Sequence, residues 1–310
     1  MPKVTYRAVI ISPHLDDAVF SCGGTIAAMV KEGPVLVINL FTRYLSDMKF
    51  HGVVMGAERL QEEKDAAKFL GYESKNLDEL DAIYRHKEYQ KISNIFKPPI
   101  PEDLAWLPTL RAKVFEVLDE IDFQEILIPL GVGWHVDHLM AHQIFEPWFG
   151  RKNLMFYEDL PYGLIPHIVR YRLNEMAEYQ FETIDKSLTP INEFFAWRRA
   201  SRAYNQTAMM KNLKPWFVKL GAVPVVSLYL NRLLAFHRRQ AKISHKISLQ
   251  AQIKLIDQQF EKKVEAMALY RTQFQEFFFS KESCAESLQD YAAQMQCGVN
   301  KVERFWRSSK

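Results

Sequence analysis

Cysteine is scarce in this 310-residue sequence: Cys22, Cys284 and Cys297 are odd in number and far apart. That argues against a disulfide framework and against a CxxC metal site, and it fits a reducing cytoplasm. One-sided charge is lacking as well. The formal charge is +3 at pH 7, and no basic, Gly-rich or aromatic-repeat stretch lies near the first motif described below, so nucleic acid is not an expected partner. No charged-then-apolar leader precedes the first apolar run, and secretion is therefore not expected. Long unbroken apolar runs are missing too. The most apolar segment, Trp216 to Phe236, is interrupted by Lys219, Pro224, Asn231 and Arg232, and its uncharged part falls short of the about 20 residues a spanning helix needs. A buried helix pair is the plainer expectation there, and membrane-surface contact through 212–246 is the alternative.

What is present is an ordinary soluble composition, 48% hydrophobic and 25% charged, in a chain long enough for one large domain with an elaborate insertion. Val4 to Ile11 and Pro34 to Phe41 are continuous apolar runs of the kind found in parallel strands buried on both faces. Ile126 to Leu130 and Asn153 to Tyr157 repeat the pattern, and Asn76 to Tyr84 has room for a short strand. Helical spacing separates them: Thr25 to Val30 after Gly23-Gly24, Met55 to Leu70 stopped by Gly71, and Pro108 to Asp122. Strands alternating with helices predict an α/β, doubly wound, mostly parallel Rossmann-like sheet. The expected organisation is an α/β core over residues 1–162, a helical insertion over 163–250 and C-terminal helices over 251–310, Ile253 to Tyr270 and Ser283 to Gln294 among them, returning to the core.

Two polar clusters follow strands of this sheet. Pro13 stops the first strand, and His14, Asp16 and Asp17 stand between it and the next helix, at the sheet edge where ligands bind in open α/β folds. An Asp at such a junction is commonly an N-cap or an Asx turn. The second cluster, Trp134-His135-Val136-Asp137-His138, follows Ile126 to Leu130 and opens on the same edge, which favours a metal site over a pair of caps. His14, Asp17 and His138 supply the three His and carboxylate ligands typical of catalytic zinc, and Asp16 is the candidate base for a water on that ion. Iron is a second option, since these ligand types suit several divalent ions.

The residues Pro13-His14-Leu15-Asp16-Asp17-Ala18 and His135-Val136-Asp137-His138 resemble the motifs of the PIG-L/LmbE-like zinc-dependent N-deacetylases, Pro-His-Pro-Asp-Asp-Glu and His-x-Asp-His. Leu15 and Ala18 depart from that pattern, at positions that supply no expected ligand. Weaker echoes are Gly23-Gly24-Thr25, the Arg59 to Gly71 helix, Tyr157 to Tyr162 and Lys263 to Gln273. The resemblance implies a deacetylase of N-acetylglucosamine-type amino sugars, on a glycoside, nucleotide or natural-product scaffold. It implies His14, Asp17 and His138 as zinc ligands, Asp16 as general base, His135 assisting at the tetrahedral stage or leaving group, and Asp137 tuning His135. The competing readings are an amidase for another N-acyl compound and a non-catalytic binding or scaffold protein. A binding module has no need of a base beside three ligands.

Other polar residues carry plainer expectations. Arg59, Glu62 and Glu63 are expected on a solvated helix face, and His142, one helical turn after His138, in packing or behind the ligands, the alternative being that it faces the metal. Glu158 and Asp159 are expected either to bind sugar hydroxyls or to cap a helix. Tyr162, Trp197, Tyr204, Trp216 and Tyr229, with Arg198, Arg199, Arg202, Arg232, Arg238 and Arg239, suit a wall for the substrate beyond its amino sugar; the alternative is a core with a charged outer face.

Overall fold

A run that is apolar on both faces, as Ala8 to Ile11 is, needs cover on both, and β1 (Thr5–Ser12) has it as an interior strand of a seven-stranded sheet. The computed structural model describes residues 3–45, 56–176, 247–295 and 301–309. β1 is flanked by β2 (Val35–Asn39) and β4 (Asp122–Pro129), with β3 (Glu73–Asn76) outside β2 and β5 (Leu154–Tyr157) outside β4. These five strands are parallel, in the order β3-β2-β1-β4-β5. The period of two along each strand sorts the side chains into two cores. Val9, Ile11, Leu36, Ile38, Ile126 and Ile128 pack with α4 (Pro101–Asp119) and α5 (Val136–Ile144) on one face. Ala8, Ile10, Val35, Val37 and Leu127 pack on the other with α1 (Asp17–Met29), α2 (Ala57–Leu70) and α7 (Phe260–Leu269). Each fully buried Ile or Val contributes about 1.5–3 kcal/mol. This is the expected doubly wound, mostly parallel arrangement.

Several expectations need correction. Asn76 to Tyr84 is not a strand: β3 ends at Asn76, and Ala82–Arg85 forms a helical turn, α3, capped by Asp81, whose carboxylate accepts the Ile83 N–H at 3.1 Å. β3 is a polar edge strand with one neighbour, so it carries no apolar run to betray it. The C-terminal region is not purely helical. β6 (Ser248–Leu255) and β7 (Val302–Ser309) form an antiparallel ribbon, and β7 joins β5 antiparallel. Ile253 and Leu255 are 44% and 61% exposed, so β6 is an edge strand in which Ile253 and Leu255 read as the start of a helical stripe. Between the ribbon strands lie α7, α8 (Arg271–Phe277) and α9 (Lys281–Gln294). The solvated-face reading of α2 also fails: Arg59, Glu62 and Glu63 are all buried, Arg59 against Asp16 and the two glutamates against Tyr270 and α8. Thr272 donates to Glu62 from both its N–H and its hydroxyl, at 3.0 and 2.6 Å, and the Tyr270 hydroxyl donates to Glu63.

Gly24 is required where Ile256 packs on α1. A Cβ there would stand 2.7 Å from Ile256, too close for any side chain. Between α6 (Pro166–Met176) and β6 the Ile247 N–H donates to the Met176 carbonyl at 2.7 Å, so the two ends of the described chain on either side of 177–246 meet at one point. The greater part of the expected 163–250 insertion, including Trp216 to Phe236 and the 212–246 stretch, lies outside the described residues. Among the described residues no helix is long and apolar enough to cross a membrane.

Candidate metal centre

The first half of the site is a tight turn at the end of β1. The Ser12 hydroxyl donates to the His14 carbonyl at 2.5 Å and accepts the Ala18 N–H at 3.0 Å, which ties the strand end to the first turn of α1. Asp16 occupies the N-cap position but makes no side-chain cap. Its Oδ1 accepts from Arg59 Nη2 at 2.8 Å instead, so the ordinary N-cap reading of this residue does not hold. Asp17 opens α1, where a carboxylate is favoured by the helix dipole, and its Oδ2 accepts the His14 backbone N–H at 2.8 Å.

The second half follows β4. Gly131, Gly133 and Trp134 have φ of +80°, +87° and +58°, so the chain coils sharply before His135. Gly133 lies against Tyr162, where a Cβ would come within 2.4 Å of the ring. The strained Trp134 is held by its indole N–H on Glu175 at 2.8 Å. His135 then caps α5, its Nδ1 accepting the Asp137 N–H at 3.2 Å. His138 stands in the first turn.

The two loops bring His14, Asp17 and His138 together, with one possible ligand atom from each lying within 4.8 Å of the others. Asp17 Oδ2 is 3.1 Å from His14 Nδ1 and 3.3 Å from His138 Nε2. The other nitrogen of each imidazole is held by a carboxylate, as ligating histidines usually are. His138 Nδ1 is 2.7 Å from Asp159 Oδ1, and His14 Nε2 is 3.2 Å from Asp137 Oδ2 and 3.5 Å from Asp81 Oδ2. The donor set therefore fits a divalent ion of the zinc type. A second group of the same kind, His14, His135 and Asp137, shares His14.

The electrostatics suit a cation. Burial opposes the charge of Asp17, but His138 and His14 outweigh it and hold the carboxylate well below its usual range. Burial likewise disfavours a charged His14, yet hydrogen bonds to Asp137 and Asp17 raise it. Asp16 is raised, by burial first, with Arg59 pulling the other way. His135 is lowered, by burial and then by the nearby His14.

The remaining expected residues sit as follows. The Asp137 carboxylate makes its hydrogen bonds to His14, to the Ala82 N–H at 3.0 Å and to Arg85 at 2.8 Å; toward His135 it presents its backbone N–H. Tuning His135 is thus not its main contact. Asp159 neither faces solvent nor caps a helix: besides His138 it accepts the Gly131 and Val132 N–H groups, both at 2.8 Å. Glu158 takes Arg304, Trp306 and Tyr291 at 2.6, 2.7 and 2.7 Å, joining β5 to β7 and α9. His142 packs between Phe149 and Phe156 with Nδ1 on the Pro129 carbonyl at 2.9 Å. Tyr162 reaches the site, its ring 5.9 Å from that of His138, while Trp197, Tyr204, Trp216, Tyr229 and the six arginines of 198–239 lie outside the described residues. Asp81, Arg85 and Asp103 were not expected at the site and Arg59 was misplaced; no motif marks them, because Arg59 comes from α2, Asp81 and Arg85 from the turn of α3, and Asp103 from α4.

Fold and site together define an open α/β protein with a buried His–Asp cluster that could hold a cation at the carboxyl ends of its interior strands. Residues 9–149 match the family model described as PIG-L: GlcNAc-PI de-N-acetylase. The chain is 29% identical over 165 residues to 2'-N-acetylparomamine deacetylase of Streptomyces fradiae, a match covering 51% of this chain and 58% of that protein, so it spans little more than half of the relative's length. The fold is similar to that of A40926 pseudoaglycone deacetylase Dbv21, with a TM-score of 0.60, 19% identity and 98% and 97% of the two chains covered. It is also similar to the zinc-inhibited form of teicoplanin deacetylase Orf2, with a TM-score of 0.60, 16% identity and 97% of each chain covered.

Proposed function

We propose that the chain is a metal-dependent hydrolase that removes the acetyl group from an N-acetylated amino sugar borne on a glycoside, nucleotide or natural-product scaffold. The observation that carries this reading is the convergence of His14, Asp17 and His138 with Asp16 beside them, two imidazoles backed by carboxylates and a spare carboxylate next to the ligands. The family match and the relatives' names as deacetylases support it.

In this reading His14, Asp17 and His138 hold a zinc ion, with iron as the other option. When bound, the metal supplies a Lewis acid that polarises the amide carbonyl and makes water acidic near neutral pH. Asp16 takes the proton of the attacking water. Arg59 fixes its Oδ1 at 2.8 Å, which leaves Oδ2 as the free acceptor, and burial raises its basicity toward that of a working base. His135 is the companion donor. Because its Nδ1 accepts the Asp137 N–H, the neutral ring carries its proton on Nε2 and can donate to the carbonyl oxygen as charge builds there. The water oxygen first bonds to the acyl carbon, and as the carbonyl re-forms the C–N bond breaks, with the proton held by Asp16 passing to the leaving amine.

Leu15, Phe41, Thr42, Arg43, Tyr44, Gly56 and Arg59 line a small pocket next to the Asp16–Arg59 pair, where the half-buried Tyr44 ring is proposed to offer a face to a sugar. The 163–250 segment is proposed to continue this wall. A reducing cytoplasm is the proposed setting, consistent with the free, buried thiols of Cys22 and Cys284. The test is metal analysis of the purified protein beside amine release from a panel of N-acetylglucosaminides. No metal uptake and no amine release would end the proposal.

A further inference from the structure

His14 belongs to two groups that could each take a cation, one with Asp17 and His138 and one with His135 and Asp137. What separates them is the occupation of Asp137. Its Oδ2 already takes the Ala82 N–H at 3.0 Å and faces His14 Nε2 at 3.2 Å, while its Oδ1 is held by Arg85 Nη2 at 2.8 Å. Arg85 is fixed in turn on Asp103 Oδ1 at 2.7 Å and on the Leu80 carbonyl at 2.8 Å, with its guanidinium carbon 5.2 Å from the Phe41 ring centre and 5.4 Å from that of Trp106. Asp103 is fully buried and also accepts the Tyr89 hydroxyl. A planar fork that bridges two carboxylates and a carbonyl has no slack, and lysine cannot reproduce it.

We propose that Arg85 is a positioning residue that commits His14 to the Asp17–His138 set. Holding Asp137 as the acceptor for the His14 Nε2–H leaves Nδ1 to face the metal, and the guanidinium charge against Asp137 disfavours a cation on the His135 side. This rests on the metal reading of the site given above. Its reach is the ion's affinity and place, through a chain of contacts Asp103–Arg85–Asp137–His14 that begins outside the site.

The test titrates the metal-free parent and variants with Zn2+ alone against a competing chelator. Arg85→Met/Asp103→Asn removes the guanidinium together with the carboxylate it neutralises on its far side, whereas Asp103→Asn alone leaves Arg85 on Asp137 and Leu80. The double variant is expected to bind zinc roughly 10- to 100-fold more weakly, the range for loss of a group behind a ligand, while Asp103→Asn stays within about threefold of the parent. In the zinc-loaded parent the His14 Nε2–H proton is expected to exchange slowly, and in the double variant that protection should be lost. Parent affinity in the double variant overturns the proposal, and so does an equal loss in Asp103→Asn, which would mean general loosening. If the double variant does not fold, Arg85→Lys decides: at least tenfold weaker zinc binding with an unchanged circular dichroism spectrum supports the proposal, and parent affinity overturns it. A parent that takes up no zinc sinks the metal reading and the inference with it; a parent that binds while its variants match it sinks the inference alone.

Discussion

Asp159→Asn separates a residue that holds a ligand from one that touches substrate. Asp159 spends one oxygen on His138 Nδ1 at 2.7 Å and the other on the Gly131 and Val132 N–H groups at 2.8 Å each. Asparagine has one acceptor oxygen, so either the imidazole or the two loop amides must face an NH2 group. If the imidazole loses its acceptor, His138 is no longer fixed in the tautomer that presents Nε2, and metal affinity should fall roughly 10- to 100-fold, or about 1.4–2.8 kcal/mol. If the amides lose theirs, each unsatisfied buried donor costs about 1–3 kcal/mol, and the metal-free protein melts earlier. Chelator competition reads the first effect and thermal unfolding of the metal-free protein reads the second. A variant with parent affinity and parent stability, but a raised KM for hydroxyl-rich substrates, would refute this reasoning and return Asp159 to the role of sugar ligand.

Three further outcomes are expected. Asp16→Asn should keep metal and fold while kcat falls about 10²- to 10⁴-fold, the usual worth of a general base, and near-parent kcat would remove Asp16 from the chemistry. His142 is buried neutral, its pKa pushed down to about 3 by burial and then by Arg172, so it binds a proton more readily when unfolded. Its contribution to stability is therefore complete above its ordinary value near 6.5 and is lost as the pH falls toward 3, with a slope of up to about 1.4 kcal/mol per pH unit; His142→Leu should flatten the Tm–pH profile over that window, and parallel profiles would contradict the assignment. Neutralising Arg198, Arg199 and Arg202 together should raise KM for a large or anionic substrate and leave turnover of a small N-acetyl sugar unaltered; identical behaviour toward both would make them a solvated face.

The parallel core was legible because β2, β5, the stretch Ala8 to Ile11 of β1 and the second half of β4 are buried on both faces and carry apolar runs. β3 was not, since an edge strand reading Glu-Ser-Lys-Asn looks like a loop. β6 was read as helix although Ser-Leu-Gln-Ala-Gln-Ile-Lys-Leu alternates in part, because its outer residues face water and its single neighbour lies at the far end of the chain. The His and Asp residues of the two motifs were legible for a different reason: each cluster follows a recognisable strand end, and parallel strands place such ends along one edge. Arg59, Asp81, Arg85 and Asp103 carry no such marker. Arg59 and Glu63 look like a charged helix face until Asp16 and Tyr270 are seen against them, contacts that span 43 and 207 residues of chain.

The most direct measurement is metal content per chain beside amine release for the parent and His138→Ala. The account predicts one divalent ion per parent chain with deacetylation of an N-acetyl amino sugar, and loss of both in the variant. Full metal occupancy at parent affinity in His138→Ala would contradict the ligand set, and parent turnover without metal would contradict the chemistry.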